Sequence, residues 1–429
     1  MPVNGSRLRT GMRRHSEVHV LGAPSIHGPS VHWTNVGVGG PAGDDTDRMT
    51  DHVPDGLSPA GCDLRACTDR LRPDHPVIRT DRGEWVLLRH DLVGRAALDP
   101  ETFSSATSRF RQVPNGLDGE EHTAFREALD PLMSPAALAR YGPVFERIAA
   151  ELIAGLPRGV SVDGVADIGA VFAVRAQSAW LGWPAELEGR LLTWMDENHA
   201  AVREGDLGRT AQVAEDFAEI IRSALAARRS TATDSTDTTG RLLAVTVQGR
   251  RLTDVDVVSV LRNWTGGDLG SIALCAGVLI HELARDPRLQ SRIRDGATDP
   301  VLDGIIDEVL RRDSPFIGNR RTTTRAVDLD GVHIPAGARV KLHWTSANRD
   351  ESVFGDPDAF DPVVHAPDNL VYGVGRHACP GRALASMELR ALVRALLAAT
   401  TTIRPDPDTP PEREVAPVGG WAHVPVLLT

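Results

Sequence analysis

Tyr372-Gly373-Val374-Gly375-Arg376-His377-Ala378-Cys379-Pro380-Gly381 is the stretch that decides how the rest of this 429-residue chain is read. Three glycines crowd one cysteine, and an apolar helical pattern (Ala383, Leu384, Met387, Leu389, Leu392) begins directly after it. Glycine lets a backbone turn sharply or lie flat against another surface, because it has no Cβ. A cysteine just before a helix N-terminus sits where backbone N–H groups and the helix dipole favour the thiolate, which is the metal-ligating form. A lone cysteine in a large chain is more often an inert buried side chain. The glycine frame and the following helix favour the ligand instead.

The same decamer resembles the haem-binding loop of the cytochrome P450 family, an aromatic followed by G-x-G-x-H-x-C-x-G. Tyr372 stands where that family usually has Phe, and Gly373 and Gly381 complete the frame. The resemblance implies that Cys379 is the axial ligand of haem iron (heme b, iron protoporphyrin IX). It also implies a fold that is mainly α with small β-sheets, the haem lying between a long central helix and the Cys379 loop. Thiolate ligation pushes electron density onto iron and favours O–O cleavage.

Composition bounds the partners. The chain is 41% hydrophobic but only 4% aromatic, so aliphatic side chains must fill a large core. A formal net charge of −11 argues against nucleic acid or an anionic membrane surface as main partner. No run of about eighteen uncharged apolar residues and no signal-peptide pattern is present, so the expected location is cytoplasmic, without a membrane. Four cysteines (Cys62, Cys67, Cys275, Cys379) do not make a disulfide framework at this length, and Cys62-x4-Cys67 lacks the second pair that a zinc site needs.

Residues 1–58 mix Gly, Pro, Ser, His and Asp without a hydrophobic period and read as a disordered extension; 59–429 read as one catalytic domain. Val77–Thr80 and Glu84–Leu88 around Asp81-Arg82-Gly83 form a hairpin pattern, and Asp91 opens a short helix ending near Asp99-Pro100. His122 and Arg126, four apart at the head of an amphipathic helix, share one face. The resemblance implies that they donate to a haem propionate. Residues 136–228 are a series of amphipathic helices, and Thr231–Gly240 is polar and loop-like.

Thr253-Asp254-Val255-Asp256 is a capping-box-like start, and the apolar pattern then runs to Ala284, roughly 30 residues or about 45 Å of helix. Inside it lies Trp264-Thr265-Gly266-Gly267-Asp268-Leu269-Gly270-Ser271. Each mid-helix glycine costs about 1 kcal/mol against alanine, so this segment needs a reason such as the close approach of a flat group. In the resembled family an acid and a threonine stand side by side here and deliver protons to dioxygen. This chain has Asp268 but places Leu269 where the threonine belongs. Thr265 and Ser271 each lie three residues from Asp268 and are the alternative hydroxyls.

Glu308-Val309-Leu310-Arg311 matches the family's E-x-x-R helix, with the two charges neighbours at i, i+3. The resemblance implies that Phe316 and Ile317, with Trp264, line the substrate pocket, and that Arg321, thirteen residues after Glu308, binds a propionate beside His377. After Phe360-Asp361 the family commonly has an arginine that completes the E-x-x-R network. Here Val364 fills that slot, and His365 is the candidate substitute. The resemblance covers residues 70–429.

The function so implied is a haem-thiolate monooxygenase that activates O2 to oxidise a small organic molecule of secondary-metabolite type, with a ferredoxin and ferredoxin reductase as electron donors. Arg376, Arg382, Arg390 and Arg394, clustered at the Cys379 loop, are the candidate docking patch for an acidic ferredoxin. Because Leu269 replaces the alcohol, oxidative coupling or peroxide use is the alternative, and a non-catalytic haem sensor or carrier the remote one.

Overall fold

The computed structural model describes residues 52–53, 63–108, 111–230 and 236–429. Its axis is the helix Asp254–Arg285, 32 residues or about 48 Å long. The capping box expected at its start is present. The Thr253 hydroxyl accepts from the Asp256 N–H at 3.1 Å, and Asp256 accepts from the Thr253 N–H at 3.2 Å. Asp286-Pro287 ends it, and Asp286 in turn caps the next helix, Pro287–Arg294. By length and composition this helix is apolar enough to cross a membrane. It is instead the core element of the fold, packed by Gly164–Ala170, Val171–Leu181, Leu207–Ser230, Asp299–Arg312 and Arg382–Ala398.

The tightest of these contacts is with Gly164–Ala170, a turn of wider π pitch that runs into Val171–Leu181. Here each side gives up a side chain. A Cβ on Gly169 would stand 2.5 Å from the Ala273 carbonyl oxygen, and one on Gly277 2.5 Å from Val165 Cγ2. The helices Glu188–Glu204 and Leu207–Ser230 pack on each other, with Trp194 and Phe217 stacked at 3.9 Å.

The hairpin expected over Val77–Leu88 is part of a six-stranded sheet, while Val327–Leu329 and Val332–Ile334 pair in a separate two-stranded one. The order of the six-stranded sheet is His52–Val53, Val77–Thr80, Trp85–Leu87, Arg339–His343, Gly318–Thr323, Phe103–Ser104. Val77 faces Leu87 in the antiparallel hairpin, and Trp85 faces Val340 in a parallel pair. A separate sheet joins Ile403–Pro405, Pro425–Leu428 and Ser161–Asp163 near the C-terminus.

Three expectations change. His52–Val53, inside the presumed extension, pairs in parallel with Arg79–Thr80, because the hairpin's outer edge offers free backbone donors and acceptors. The remainder of residues 1–58 lies outside the described residues. Thr238–Ala244, read in part as loop, is helical because the Asp237 side chain caps it by accepting from the Gly240 N–H. Cys67 is disulfide-bonded, with a partner outside the described residues, whereas Cys275 and Cys379 are free.

Candidate functional site

The Cys379 loop is held by its own backbone. The Cys379 N–H donates to the Tyr372 carbonyl at 2.8 Å, closing the turn, and Gly373 and Gly375 adopt φ of +68° and +79°. At Gly375 a Cβ would also meet Leu98 Cδ2 at 3.0 Å, so both conformation and space demand glycine. The loop delivers Cys379 to the N-terminus of the helix Arg382–Ala398, where the N–H groups of Gly381 and Arg382 donate to the sulfur. Burial pushes the thiol up, while those two donors and Arg126 pull it down. The residue is nonetheless solvent-accessible. A group both accessible and desolvated lies in a cavity rather than on an open surface.

The opposite wall is the central helix. Gly266 and Gly267 are exposed in mid-helix, and Asp268, Gly270, Ser271 and Cys275 are partly so. The negative charge of Asp268 is close enough to help raise the Cys379 thiol. Cys275, two turns beyond Asp268, is pushed up to about 12 by burial and by the neighbouring acids. Thr265 is fully buried and its Oγ1 has no partner; Leu269 is fully buried as well. Trp264 packs against Trp180 within the main core, with ring centroids 5.3 Å apart and planes tilted by 45°. Ile317 is buried, while Phe316 is 49% exposed.

Beside the loop, three basic side chains from distant segments converge. His122 and His377 lie ring to ring at 4.1 Å. Burial, His122 and Arg321 together lower His377 to about 4, and burial lowers His122. Arg321 is 7% exposed, and burial pulls its guanidinium down. Its Nη1 donates to the Arg320 carbonyl, and among the described residues no carboxylate forms an ion pair with it. Asp118 is the nearby acid; it stands 3.4 Å from His377 Nε2 and accepts from the N–H of Ser105, whose hydroxyl meets His377 at 3.1 Å. Asp118 and Ser105 carry no motif that would have singled them out. Arg126 is differently engaged. Its Nη1 donates to the Arg376 and Ala378 carbonyls at 2.9 and 3.2 Å, and its Nε to Asp130, so it braces the loop.

Behind the loop, Glu308 and Arg311 form a bidentate pair at 2.8 and 3.0 Å, both essentially unexposed. His365 Nδ1 lies 2.7 Å from Glu308 Oε1, and the Asp361 N–H donates to the same oxygen at 3.0 Å. Arg311 spends its other donors on the Asn348 and Ala359 carbonyls at 2.7 and 2.8 Å. These strands of polar contact pin the segment before the loop to the E-x-x-R helix. The Tyr372 ring lies against the Arg382 guanidinium at 5.1 Å. Arg382 and Arg390 pair with Asp307 and Asp303, and Arg394 with Asp299, so the arginine patch is largely neutralised locally.

Chemically, the arrangement offers one accessible sulfur ligand faced by two backbone N–H donors, beside a buried basic cluster short of counter-charge. Among the described residues no group of three metal-ligating side chains converges anywhere. A metal here would therefore have to bring most of its own coordination.

Comparison with known proteins points the same way. The family description Cytochrome P450 matches residues 191–418. The cyclomarin C epoxidase CymV of Salinispora arenicola is 30% identical over 345 residues, which cover 76% of this chain and 86% of that protein. The erythromycin C-12 hydroxylase of Saccharopolyspora erythraea is 28% identical over 83% of this chain and 92% of its own length. Among solved structures, a mutant of P450 EryK in complex with erythromycin B superposes with a TM-score of 0.76 at 26% identity, covering 85% of this chain and 96% of the other.

Proposed function

Since the chain belongs to the cytochrome P450 family and is an oxidoreductase of the monooxygenase type, we propose that residues 59–429 form one catalytic domain holding heme b through the Cys379 sulfur. The observation that carries this reading is the pairing of a thiol faced by two backbone N–H groups with an under-compensated basic cluster. A thiolate suits the iron; coordination removes the proton that burial otherwise holds on the sulfur. A dianionic porphyrin edge suits Arg321, His377 and His122, whose burial without a full counter-charge is otherwise costly. Arg126 then acts at one remove, by fixing the carbonyls on either side of His377.

The bound iron supplies oxygen activation and the protein supplies position and protons. Gly266 and Gly267 let a flat group approach the central helix. Asp268 presents a carboxyl to the cavity. Glu308, Arg311 and His365 keep the segment before the loop in register, so the sulfur does not drift. We read the substrate as a small organic molecule of secondary-metabolite type, because similar proteins are named for epoxidation of cyclomarin C and hydroxylation of erythromycin. The expected electron donors are a ferredoxin and its reductase, and the expected setting is the cytoplasm.

Cys379→Ser tests the ligand: the variant should lose the thiolate-type optical spectrum, and retention of unaltered bands overturns the assignment. A second reading, oxidative coupling or peroxide use, rests on the buried Leu269 in the alcohol's place. Turnover under isotope-labelled dioxygen separates the two, since only oxygen insertion transfers label to product.

A further inference from the structure

Tyr372 stands where the cytochrome P450 family usually has phenylalanine, and it is one of two tyrosines in the chain. Its hydroxyl is buried and has no hydrogen-bond partner among the described residues. Phenylalanine would fill the same space without burying an unmet donor and acceptor, so the hydroxyl calls for a reason. Tyr372 lines a cavity of about 60 Å³ behind the Cys379 loop, together with Asp307, Asn369, Gly373 and Arg382. A water molecule needs about 10–15 Å³ of such space, so this cavity admits more than one.

A second polar atom is stranded there. Asp307 Oδ1 is buried and unpartnered, while its Oδ2 accepts from Arg382 Nη2 at 2.9 Å. Asn369 is committed elsewhere: its amide nitrogen donates to the Asp307 carbonyl, and its oxygen accepts from the Val371 N–H. The same Arg382 guanidinium lies over the Tyr372 ring at 5.1 Å, so one side chain ties the ring to the carboxylate. Burial raises Asp307, against the pull of Arg382 and of the Tyr372 hydroxyl. It therefore takes up a proton more readily than an exposed carboxylate does. The other groups beside the phenol are Ser386, Cys275 and Cys379.

The ring is also joined to the sulfur's own residue, since the Cys379 N–H donates to the Tyr372 carbonyl at 2.8 Å. An electron that left the phenol alone would leave a cation next to Arg382, in a site that solvates charge poorly. If the proton leaves with it, the ring stays neutral.

We propose that Tyr372 is a redox-active residue that returns an electron to a peroxide-oxidised haem, its proton passing through cavity water to Asp307. The inference rests on the haem-thiolate reading above. In the step, hydrogen peroxide takes two electrons from the haem as its O–O bond breaks. One electron then passes back from the Tyr372 phenol. Its O–H bond breaks, and a water in the cavity carries the proton to Asp307 Oδ1. What remains is a neutral phenoxyl radical beside a protonated Asp307. A one-electron reductant such as ascorbate reverses the change, supplying the electron while Asp307 gives the proton back.

The test is freeze-quench electron paramagnetic resonance of the haem-loaded enzyme mixed with hydrogen peroxide. Wild type should give a tyrosyl signal that narrows in protein grown on ring-deuterated tyrosine, and the signal should form more slowly in deuterium oxide. Tyr372→Phe should lose it and bleach its haem faster, whereas Tyr141→Phe, changed at a ring stacked on Phe145 in the core, should keep it. Asp307→Asn should slow radical formation about 10²-fold, the share of a proton acceptor. A signal that survives in Tyr372→Phe overturns the proposal, and so does a formation rate indifferent to deuterium oxide, which needs no variant to fold. Wild-type enzyme with an intact thiolate-type optical spectrum but no tyrosyl signal overturns it too and leaves the haem reading standing. Protein that never shows that optical spectrum removes both.

Discussion

His365→Phe is the sharpest probe of how the site is held. His365 gives Glu308 one of four donors: Arg311 Nε at 2.8 Å, Arg311 Nη2 at 3.0 Å, Asp361 N at 3.0 Å and His365 Nδ1 at 2.7 Å. Both partners of the acid are buried, so water cannot fill a gap easily. A hydrogen bond to a charged group is worth about 1.5–3 kcal/mol. The His365 ring also meets Phe354 edge-on at 5.4 Å, a contact worth about 0.5–1.5 kcal/mol. His365→Phe retains the ring contact and should cost about 1.5–3 kcal/mol; His365→Ala loses both and should cost about 2–4.5 kcal/mol. Urea unfolding followed by fluorescence of the eight tryptophans reads the difference directly. The pH dependence has a definite sign. Despite its burial, Glu308 is held below its ordinary value of 4.5 by Arg311, His365 and the Asp361 N–H. Its contribution is therefore present above that value and lost as pH falls through the folded one. Wild type should lose stability over that acid range more steeply than either variant. If both variants unfold within about 0.5 kcal/mol of wild type, the ring does not hold Glu308 and the reasoning fails.

Arg321→Met should stabilise the haem-free chain slightly while weakening haem retention, since it removes a buried guanidinium lacking an ion pair; thermal unfolding and haem transfer to apomyoglobin measure the two signs. Haem-free protein should also lose stability as pH falls from 6.5 to about 4, by at most about 3 kcal/mol, because His377 is lowered to about 4 and the unfolded chain binds its proton first. His377→Gln should flatten that part of the profile, and an unchanged slope refutes the assignment. Gly169→Ala forces a methyl against the Ala273 carbonyl and should cost about 1–3 kcal/mol, measured by the urea midpoint, whereas Gly155→Ala, with open space, should not.

Much of this was legible from residue order, for reasons that differ by element. The Cys379 loop and the central helix announce themselves because glycine placement and the Thr253 cap are local chemistry. The E-x-x-R pair was readable as i, i+3 neighbours, and the sequel at His365 could be placed beside it only through the family pattern. The burial of Glu388, neither of whose carboxyl oxygens has a hydrogen-bond partner among the described residues, was missed because a glutamate in a helix usually faces water. A signal was present: Leu384, Glu388 and Leu392 recur at i, i+4, i+8, which puts the acid on the buried stripe. Trp264 lies in the main core against Trp180, and a helix buried along most of its length gives little periodicity to tell a core face from a cavity face. The single six-stranded sheet was not foreseen, because pairing Trp85–Leu87 with Arg339–His343 depends on contacts about 250 residues apart.

That distant pairing has a consequence for how the molecule comes into being. Trp85–Leu87 has its first neighbour, Val77–Thr80, within a few residues, but its second, Arg339–His343, arrives only after some four-fifths of the chain has left the ribosome. Until then a strand of Trp-Val-Leu waits with one edge open, during synthesis at about 5–20 residues per second. Nascent chains halted before residue 339 should therefore be protease-sensitive around the hairpin and dependent on chaperones, and chains released past residue 343 should not.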